Sequence, residues 1–353
     1  MPTFPEMIPG GSLSVDQAMR LAIAAAERVR GTTRPNPPVG CVVLDRAGVP
    51  VGIAGTEPPG GPHAEPQALA MAGARAAGGT VVVTLEPCHH QGKTPPCTGA
   101  VWESGVRHVV YGAADPNPVA SGGAEWLRSK GLEVRTGVLS EEISDGVLRP
   151  WLHWQRTRTP HITLKTAGTL DGLAAASDGS SQWITSEQSR ARVHVDRSRR
   201  DAIIVGTGTV LADDPRLTAR LPDGSLHPHQ PLRVAVGHGL VPESAKITGE
   251  NFRQIQTRDM EQVVEVLADL GVIDVLIEGG PRIAGAFVKA GLVDAVESYV
   301  APSLLGAGTA VVDFGEPTTL TDRTQFRTTL VKQLGDDIFI TAVRRSSEYL
   351  HRS

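Results

Sequence analysis

Four side chains in the first third of the chain have the types and spacing of a metal-assisted hydrolytic site. His63 and Glu65 form a His-x-Glu triplet in "GGPHAEPQAL", and Cys88 and Cys97 lie in "EPCHHQGKTPPC". One histidine and two thiolates give zinc three protein ligands and leave its fourth tetrahedral position open, as in catalytic sites; structural sites usually close with four. Water in that position becomes a usable hydroxide near neutral pH. A carboxylate two residues from the histidine can take its proton and hand it to a leaving amine. Glutamate as acid/base, followed by Pro-Cys and a second Cys, is the signature of zinc deaminases. Two other readings of the thiols stand beside this one: a disulfide between Cys88 and Cys97, and a structural zinc closed by His89 or His90. A strand, then Glu-Pro-Cys, then a helix is the context the catalytic reading requires.

The chain around these residues is 353 long, enough for two domains, and either half can bury a core without disulfides. The third cysteine, Cys41, sits in the apolar run "VGCVVL" and reads as a buried thiol. An odd, low cysteine count and no charged-then-apolar leader predict a reduced, cytoplasmic protein. No apolar run reaches the roughly 18 residues of a membrane span. A net charge of −4 leaves no general basic field for nucleic acid.

The elements that must position the site alternate between helices and apolar strands. Ser14 is a candidate N-cap for "VDQAMRLAIAAAERV". "VGCVVLD", "TVVVTLE", "HVVYGA" and "LEVRTGVL" read as strands; "PQALAMAGARAA", "CTGAVWESG" and "GGAEWLRSKG" read as helices. The opening "MPTFPEMIPGGSL" reads as a loose tail. From about 140 to 160 the pattern breaks into a charged, proline-containing stretch with exposed-looking tryptophans, which we read as a helix and linker. A second alternating unit follows, from "HITLKTAG" to "DIFITAVR". The fold class is therefore α/β, in two domains at 12–150 and 158–346, each around a mostly parallel sheet.

The second unit carries no complete dinucleotide fingerprint. "VGTGTVLADD" has Gly206 and Gly208 after a strand but lacks a third glycine at the right place, which is weak support for phosphate binding. "IEGGPRIAGAF" is stronger: a strand ends at Glu278 and a glycine turn opens a helix whose amides could receive a pyrophosphate. Close packing at a strand-to-helix turn explains the same glycines.

The motifs "TRPNPPVGCVV", "GGPHAE", "TLEPCHHQGKTPPC" and "ADPNP" together resemble the deaminase half of the bifunctional riboflavin-biosynthesis family, diaminohydroxyphosphoribosylaminopyrimidine deaminase fused to 5-amino-6-(5-phosphoribosylamino)uracil reductase. "KTAGTLDG", "SQWITS", "GTGTVLADDPRLT", "IEGGP" and "APSLLG" resemble its reductase half, in order. The resemblance implies a cytidine-deaminase-like α/β/α domain, then a dihydrofolate-reductase-like domain using NADPH. It also implies a homo-oligomer, for which "DAVESYVAPSLLG" offers apolar edge material. Two departures stand out: His89 where the family commonly has Ser, and Lys93 where it has Arg, which keeps the charge and loses the bidentate fork.

Carried over by position, Asn36 lies near the pyrimidine, with a turn-forming role as the plain alternative. Ser181, Arg197, Leu217, Arg220 and Glu278 would contact the ribose-phosphate substrate; the arginines suit a phosphate, or else are surface or ion-paired residues. Ala167, Trp183, Thr209, Asp213 and the turn Gly280, Pro281, Arg282, Ile283, Ala284, Gly285 and Ala286 would line the cofactor, although Trp183 also suits a core and Asp213 a turn cap. Lys165 and Asp213 are candidates for the proton that accompanies hydride transfer. Rival readings are a nucleic-acid deaminase with a binding module, disfavoured by net acidity and few aromatics to stack bases; an enzyme active in one half only; and a zinc-stabilised scaffold.

Overall fold

The structure, a computed structural model, describes residues 3–92, 95–313, 315, 319, 321 and 323–345. It divides into two compact units, residues 1–158 and 159–353. Lys93 and the proposed boundary at 346 lie outside the described residues.

The first unit holds a five-stranded sheet, β1 (Gly40–Leu44), β2 (Pro50–Gly55), β3 (Thr80–Leu85), β4 (His108–Ala113) and β5 (Glu133–Arg135), in the order β2-β1-β3-β4-β5. Helices α1 (Val15–Val29), α2 (Ala64–Ala72), α3 (Cys97–Glu103), α4 (Gly123–Ser129), α5 (Ser140–Ser144) and α6 (Arg149–Thr157) complete it. Strands β1, β2 and β3 are buried almost throughout, which is why their sequences run apolar without alternating. Ser14 caps α1 in a reciprocal capping box with Gln17, and Ala18, Ala22, Ala25 and Ala26 form its buried face.

Four expectations change here. Strand β2 adds to the expected set, and β1 runs antiparallel to both β2 and β3, so only β3, β4 and β5 are parallel. The β1–β2 turn is held by Asp45, whose Oδ1 accepts from the amides of Ala47 and Val49 at 3.0 Å. The opening segment is not a loose tail, because Phe4, Met7 and Ile8 pack on the core. The stretch before residue 158 is no linker: α6 belongs to this unit and Trp151 is buried. Strand β5 spans only three residues.

The second unit has an eight-stranded sheet. Its strands are β6 (His161–Thr169), β8 (Ala202–Gly206), β9 (Leu232–Val236), β10 (Phe252–Ile255), β11 (Asp274–Ile277), β12 (Ala295–Ala301), β14 (Phe326–Leu334) and β15 (Asp337–Arg344); β7 (Leu173–Ala176) and β13 (Gly308–Ala310) form a separate ribbon. The order is β10-β9-β8-β11-β6-β12-β15-β14, parallel from β10 to β12 and antiparallel beyond. Helices α7 (Glu187–Arg197), α8 (Thr207–Asp213), α9 (Met260–Asp269) and α10 (Pro281–Lys289) accompany it. Apolar clusters lie around Phe287 and around Ile203 and Leu276. The segment "DAVESYVAP" is not edge material, since β12 pairs with β6 on one side and β15 on the other. Gly208 does not lie in a turn but inside α8.

One layer of this unit is ionic. Arg200, 1% exposed, donates to Asp274 at 2.8 Å, Glu297 at 2.5 Å and Thr163 at 3.2 Å, tying α7's end to β11, β12 and β6. Tyr299 donates to Asp196, which also receives Arg192. Buried charges of this kind persist when each finds its partner.

Candidate functional site

His63 precedes α2 as its N-cap residue, and extended backbone there (φ −71°, ψ 171°) turns it away from the helix. Glu65 is in the first turn of α2 and is 4% exposed. Cys88 follows β3 and Cys97 opens α3. The fold brings all three donors together: His63 Nδ1 is 3.6 Å from Cys88 Sγ and 3.3 Å from Cys97 Sγ, and one ligand atom from each residue lies within 4.8 Å of the others. Donors arranged tetrahedrally at ordinary Zn–S and Zn–N lengths lie about 3.5 Å apart, so the set fits zinc with little movement. Among the described residues this is the only such group, and neither His89 nor His90 joins it. All three cysteines are free thiols, so no disulfide links Cys88 and Cys97.

The electrostatics favour a thiolate at Cys88 and a protonated thiol at Cys97. A hydrogen bond from Cys97 draws the Cys88 thiol well below its ordinary value, with His63 helping against burial, while Cys97 is pushed up as the partner that keeps the proton. Burial, then the neighbouring Cys88 thiolate, raises Glu65 to about 7. Burial pushes the Cys41 thiol up, in keeping with a core position.

A cavity of about 320 Å³ opens over His63 and Cys88, with Cys97 buried behind them, and is lined by Asn36, Glu65, His90, Asp115, Asn117 and Gln155, among others. Asn36 therefore reaches the site, and its backbone also closes a turn with Thr33. Asp115 and Asn117 belong to the "ADPNP" motif, which by itself marks neither as a lining residue. Trp151 and Gln155 come from α6 and have no local signal at all. Glu86 plays a structural part, its Oε1 accepting from Ala124 N at 3.0 Å at the start of α4. That helix sits so close that a Cβ on Gly123 would fall 1.8 Å from the Pro87 carbonyl oxygen.

In the second unit the anticipated residues separate into groups. Arg197 and Glu278 face each other, with Nε and Nη2 donating to the two carboxylate oxygens at 2.7 and 2.8 Å. Burial pushes Glu278 up, but the Arg197 guanidinium outweighs it and holds the carboxyl below its ordinary value. Burial pulls Lys165 down, and the Glu278 charge opposes that pull. The Lys165 Nζ lies 5.9 Å from the centre of the Tyr299 ring. Ala167 is across from Tyr299 in the β6–β12 register.

Thr209 Oγ1 accepts from Gly280 N at 3.2 Å, joining α8 to the start of α10. A Cβ on Gly279 would lie 1.9 Å from Ile283 Cγ2, so close packing accounts for that glycine. Helix α10 begins Gly280, Pro281 and has no side-chain cap. Arg282 is exposed and Ile283 and Ala286 are half-buried, whereas Ala284 and Gly285 are buried and face the core.

Leu217 is buried in the cluster with Ile203 and Val210, so only its backbone, at φ 51°, could meet a ligand. Arg220 donates to Gly224 O at 2.7 Å. Ser181 and Asp213 are exposed. The turn after α8 is tied by Asp214, which accepts from Lys246 N and pairs with its ammonium, and not by Asp213. Trp183 is no core residue; it is 70% exposed with the Arg190 guanidinium 4.5 Å above its ring.

Residues 14–113 match the cytidine and deoxycytidylate deaminase zinc-binding region, and residues 160–340 match the RibD C-terminal domain. The riboflavin biosynthesis protein RibD of Mycobacterium tuberculosis (strain ATCC 25618 / H37Rv) is 51% identical over 334 residues, 94% of this chain and 98% of that protein. Its namesake in Escherichia coli (strain K12) is 37% identical over 364 residues, 92% of this chain and 98% of that one. Among solved structures, Acinetobacter baumannii RibD is 34% identical with a TM-score of 0.80, covering 94% of this chain and 99% of its own. The diaminohydroxyphosphoribosylaminopyrimidine deaminase/5-amino-6-(5-phosphoribosylamino)uracil reductase of Thermotoga maritima is 32% identical with a TM-score of 0.80 and the same coverage.

Proposed function

The chain belongs to the RibD family of bifunctional riboflavin biosynthesis enzymes, and on that premise we propose that it deaminates 2,5-diamino-6-(5-phosphoribosylamino)pyrimidin-4(3H)-one hydrolytically and then reduces the ribosyl group to a ribityl chain with NADPH. The observation that carries the first step is the His63, Cys88 and Cys97 cluster with Glu65 buried beside it. These three residues would hold zinc, which would supply the Lewis acidity that makes water nucleophilic at neutral pH. Glu65 accepts the proton that water gives up and returns it to the exocyclic nitrogen, which leaves as ammonia. Asn36, which lines the cavity, holds the pyrimidine.

For the second step the supporting features are the parallel strand ends at β6, β8 and β11 and the uncapped start of α10. Ala167, Trp183, Thr209 and the turn 280–286 would hold NADPH, which would supply the hydride that C1′ takes up. The proton for the ring oxygen released at C1′ comes from Lys165, with Asp213 as the alternative donor at the end of α8. Arg197, Arg220, Ser181, Glu278 and the backbone at Leu217 hold the ribose phosphate. The Arg197–Glu278 pair keeps both side chains ordered until substrate arrives. The proposal extends to a homo-oligomer in a reducing cytoplasm, which sedimentation at assay concentration and thiol titration of the native protein test.

The deciding experiment supplies the diaminopyrimidine ribosyl phosphate and follows ammonia release and NADPH oxidation separately, with metal content measured in the same sample. Ammonia, then NADPH loss, with about one zinc per chain is the expected result. Stripping zinc with a chelator is expected to stop the first signal and leave the second intact when the deaminated intermediate is supplied. Zinc-loaded protein giving neither signal overturns the proposal.

A further inference from the structure

The two thiols of the metal cluster are separated by eight residues, and a longer spacing costs more chain entropy to close than a Cys-x-x-Cys pair does. Residues adjoining the thiols do the closing. His89 follows Cys88, Thr98 follows Cys97, and His89 Nδ1 shares a 2.9 Å hydrogen bond with Thr98 Oγ1. Thr98 is fully buried, and its amide donates to Cys88 O at 3.3 Å. The His89 amide donates to Ala120 O at 3.1 Å.

The imidazole is also fixed in its plane. It lies 5.0 Å from the Trp126 ring on α4, tilted by 31°. Trp126 meets Trp102 of α3 edge-on at 6.4 Å, and the Lys130 ammonium lies 5.2 and 5.6 Å from the two ring centres. Helix α4 is in turn fastened to the residues before Cys88 by the Glu86 cap and by the close approach of Gly123 to Pro87. An exposed histidine outside the ligand set is thus held by α3, which opens at Cys97, and by α4.

We propose that His89 is a positioning residue for the metal: its bond to Thr98, braced on Trp126, holds Cys88 and Cys97 at ligating separation before zinc arrives. The inference rests on the zinc reading above and adds a residue to it. Groups that orient metal ligands typically change affinity by about 10–100-fold when removed. His89→Ala is therefore expected to weaken zinc by about that factor in competition with a chromophoric chelator at fixed pH. Reduction, measured on supplied intermediate, should be unchanged and reports that the protein has folded. Two further variants separate the contacts: His89→Asn can keep a hydrogen bond to Thr98, and His89→Phe keeps only the ring on Trp126. The asparagine variant should hold zinc more tightly than the alanine one, and the phenylalanine variant should not approach wild type. Equal zinc affinity in wild type and His89→Ala overturns the latch alone. Wild-type protein that takes up no zinc overturns the metal reading with it. A phenylalanine variant as tight as wild type overturns the hydrogen bond as its basis.

Discussion

Glu65 in the first unit and Glu278 in the second are both carboxylates buried near the start of a helix, and their surroundings drive them in opposite directions. Glu65 has a thiolate as its charged neighbour beside the His63 imidazole, and burial lifts it to about 7. Glu278 is met by the two-pronged Arg197 guanidinium, which overcomes burial and keeps it ionised. A buried carboxylate with no basic side chain paired to it is set up to exchange a proton; one with a bidentate arginine is set up to stay charged. The same contrast holds more widely: the first unit collects a few polar groups over an open cavity, and the second pairs its buried charges with one another.

The sharpest way to break the comparison is Glu65→Gln, which keeps the shape and removes the exchangeable proton. Deamination should fall by about 10²–10⁴-fold, with zinc content and the reduction of supplied intermediate unchanged; a variant that still releases ammonia at the wild-type rate refutes the acid/base assignment. Next in size is Arg200→Ala, which removes the buried guanidinium that Asp274 and Glu297 share. The second unit should lose about 3–5 kcal/mol in urea unfolding while zinc stays bound to the first. Retention of full stability would show that the ionic layer is not held by this residue.

Smaller, and confined to the first unit, is Gly123→Ala. Its methyl group cannot share space with the Pro87 carbonyl, so α4 must shift, at about 1–3 kcal/mol for an overpacked site, with looser zinc as the second readout. The smallest effect is a slope. Because the Glu278 carboxyl titrates lower when folded than when unfolded, it adds stability above its ordinary range and loses it as pH falls through the depressed value. Urea midpoints taken at successive acid pH values should therefore fall less steeply for Glu278→Gln than for wild type. Parallel profiles would mean that Arg197 does not stabilise the ionised carboxylate.

Legibility in the sequence followed the distance along the chain over which each feature is built. The α1 cap is a contact between Ser14 and Gln17, and strands such as "TVVVTLE" carry their burial in an unbroken apolar run. The hairpin partner β2 is absent from the sequence reading because its apolar run "PVGIAG" opens on proline and carries two glycines, residues that weaken a strand signal. Strand β14 gave no such signal, because most of its side chains are exposed and lack a core-facing alternation. Trp151 read as exposed because α6 is polar on one face, and only packing shows which face it occupies.

The sequence by itself determined the ligand types, the carboxylate beside the histidine and the order of the two units, because each is a matter of residue identity and near spacing. Tertiary structure decided which groups meet across long separations: α6 closing the cavity with Trp151 and Gln155, Glu86 capping α4, and Arg197 pairing with Glu278 eighty-one positions away. Such pairings are set by how helices and strands pack, and side-chain charge or polarity read along the chain carries no record of that geometry.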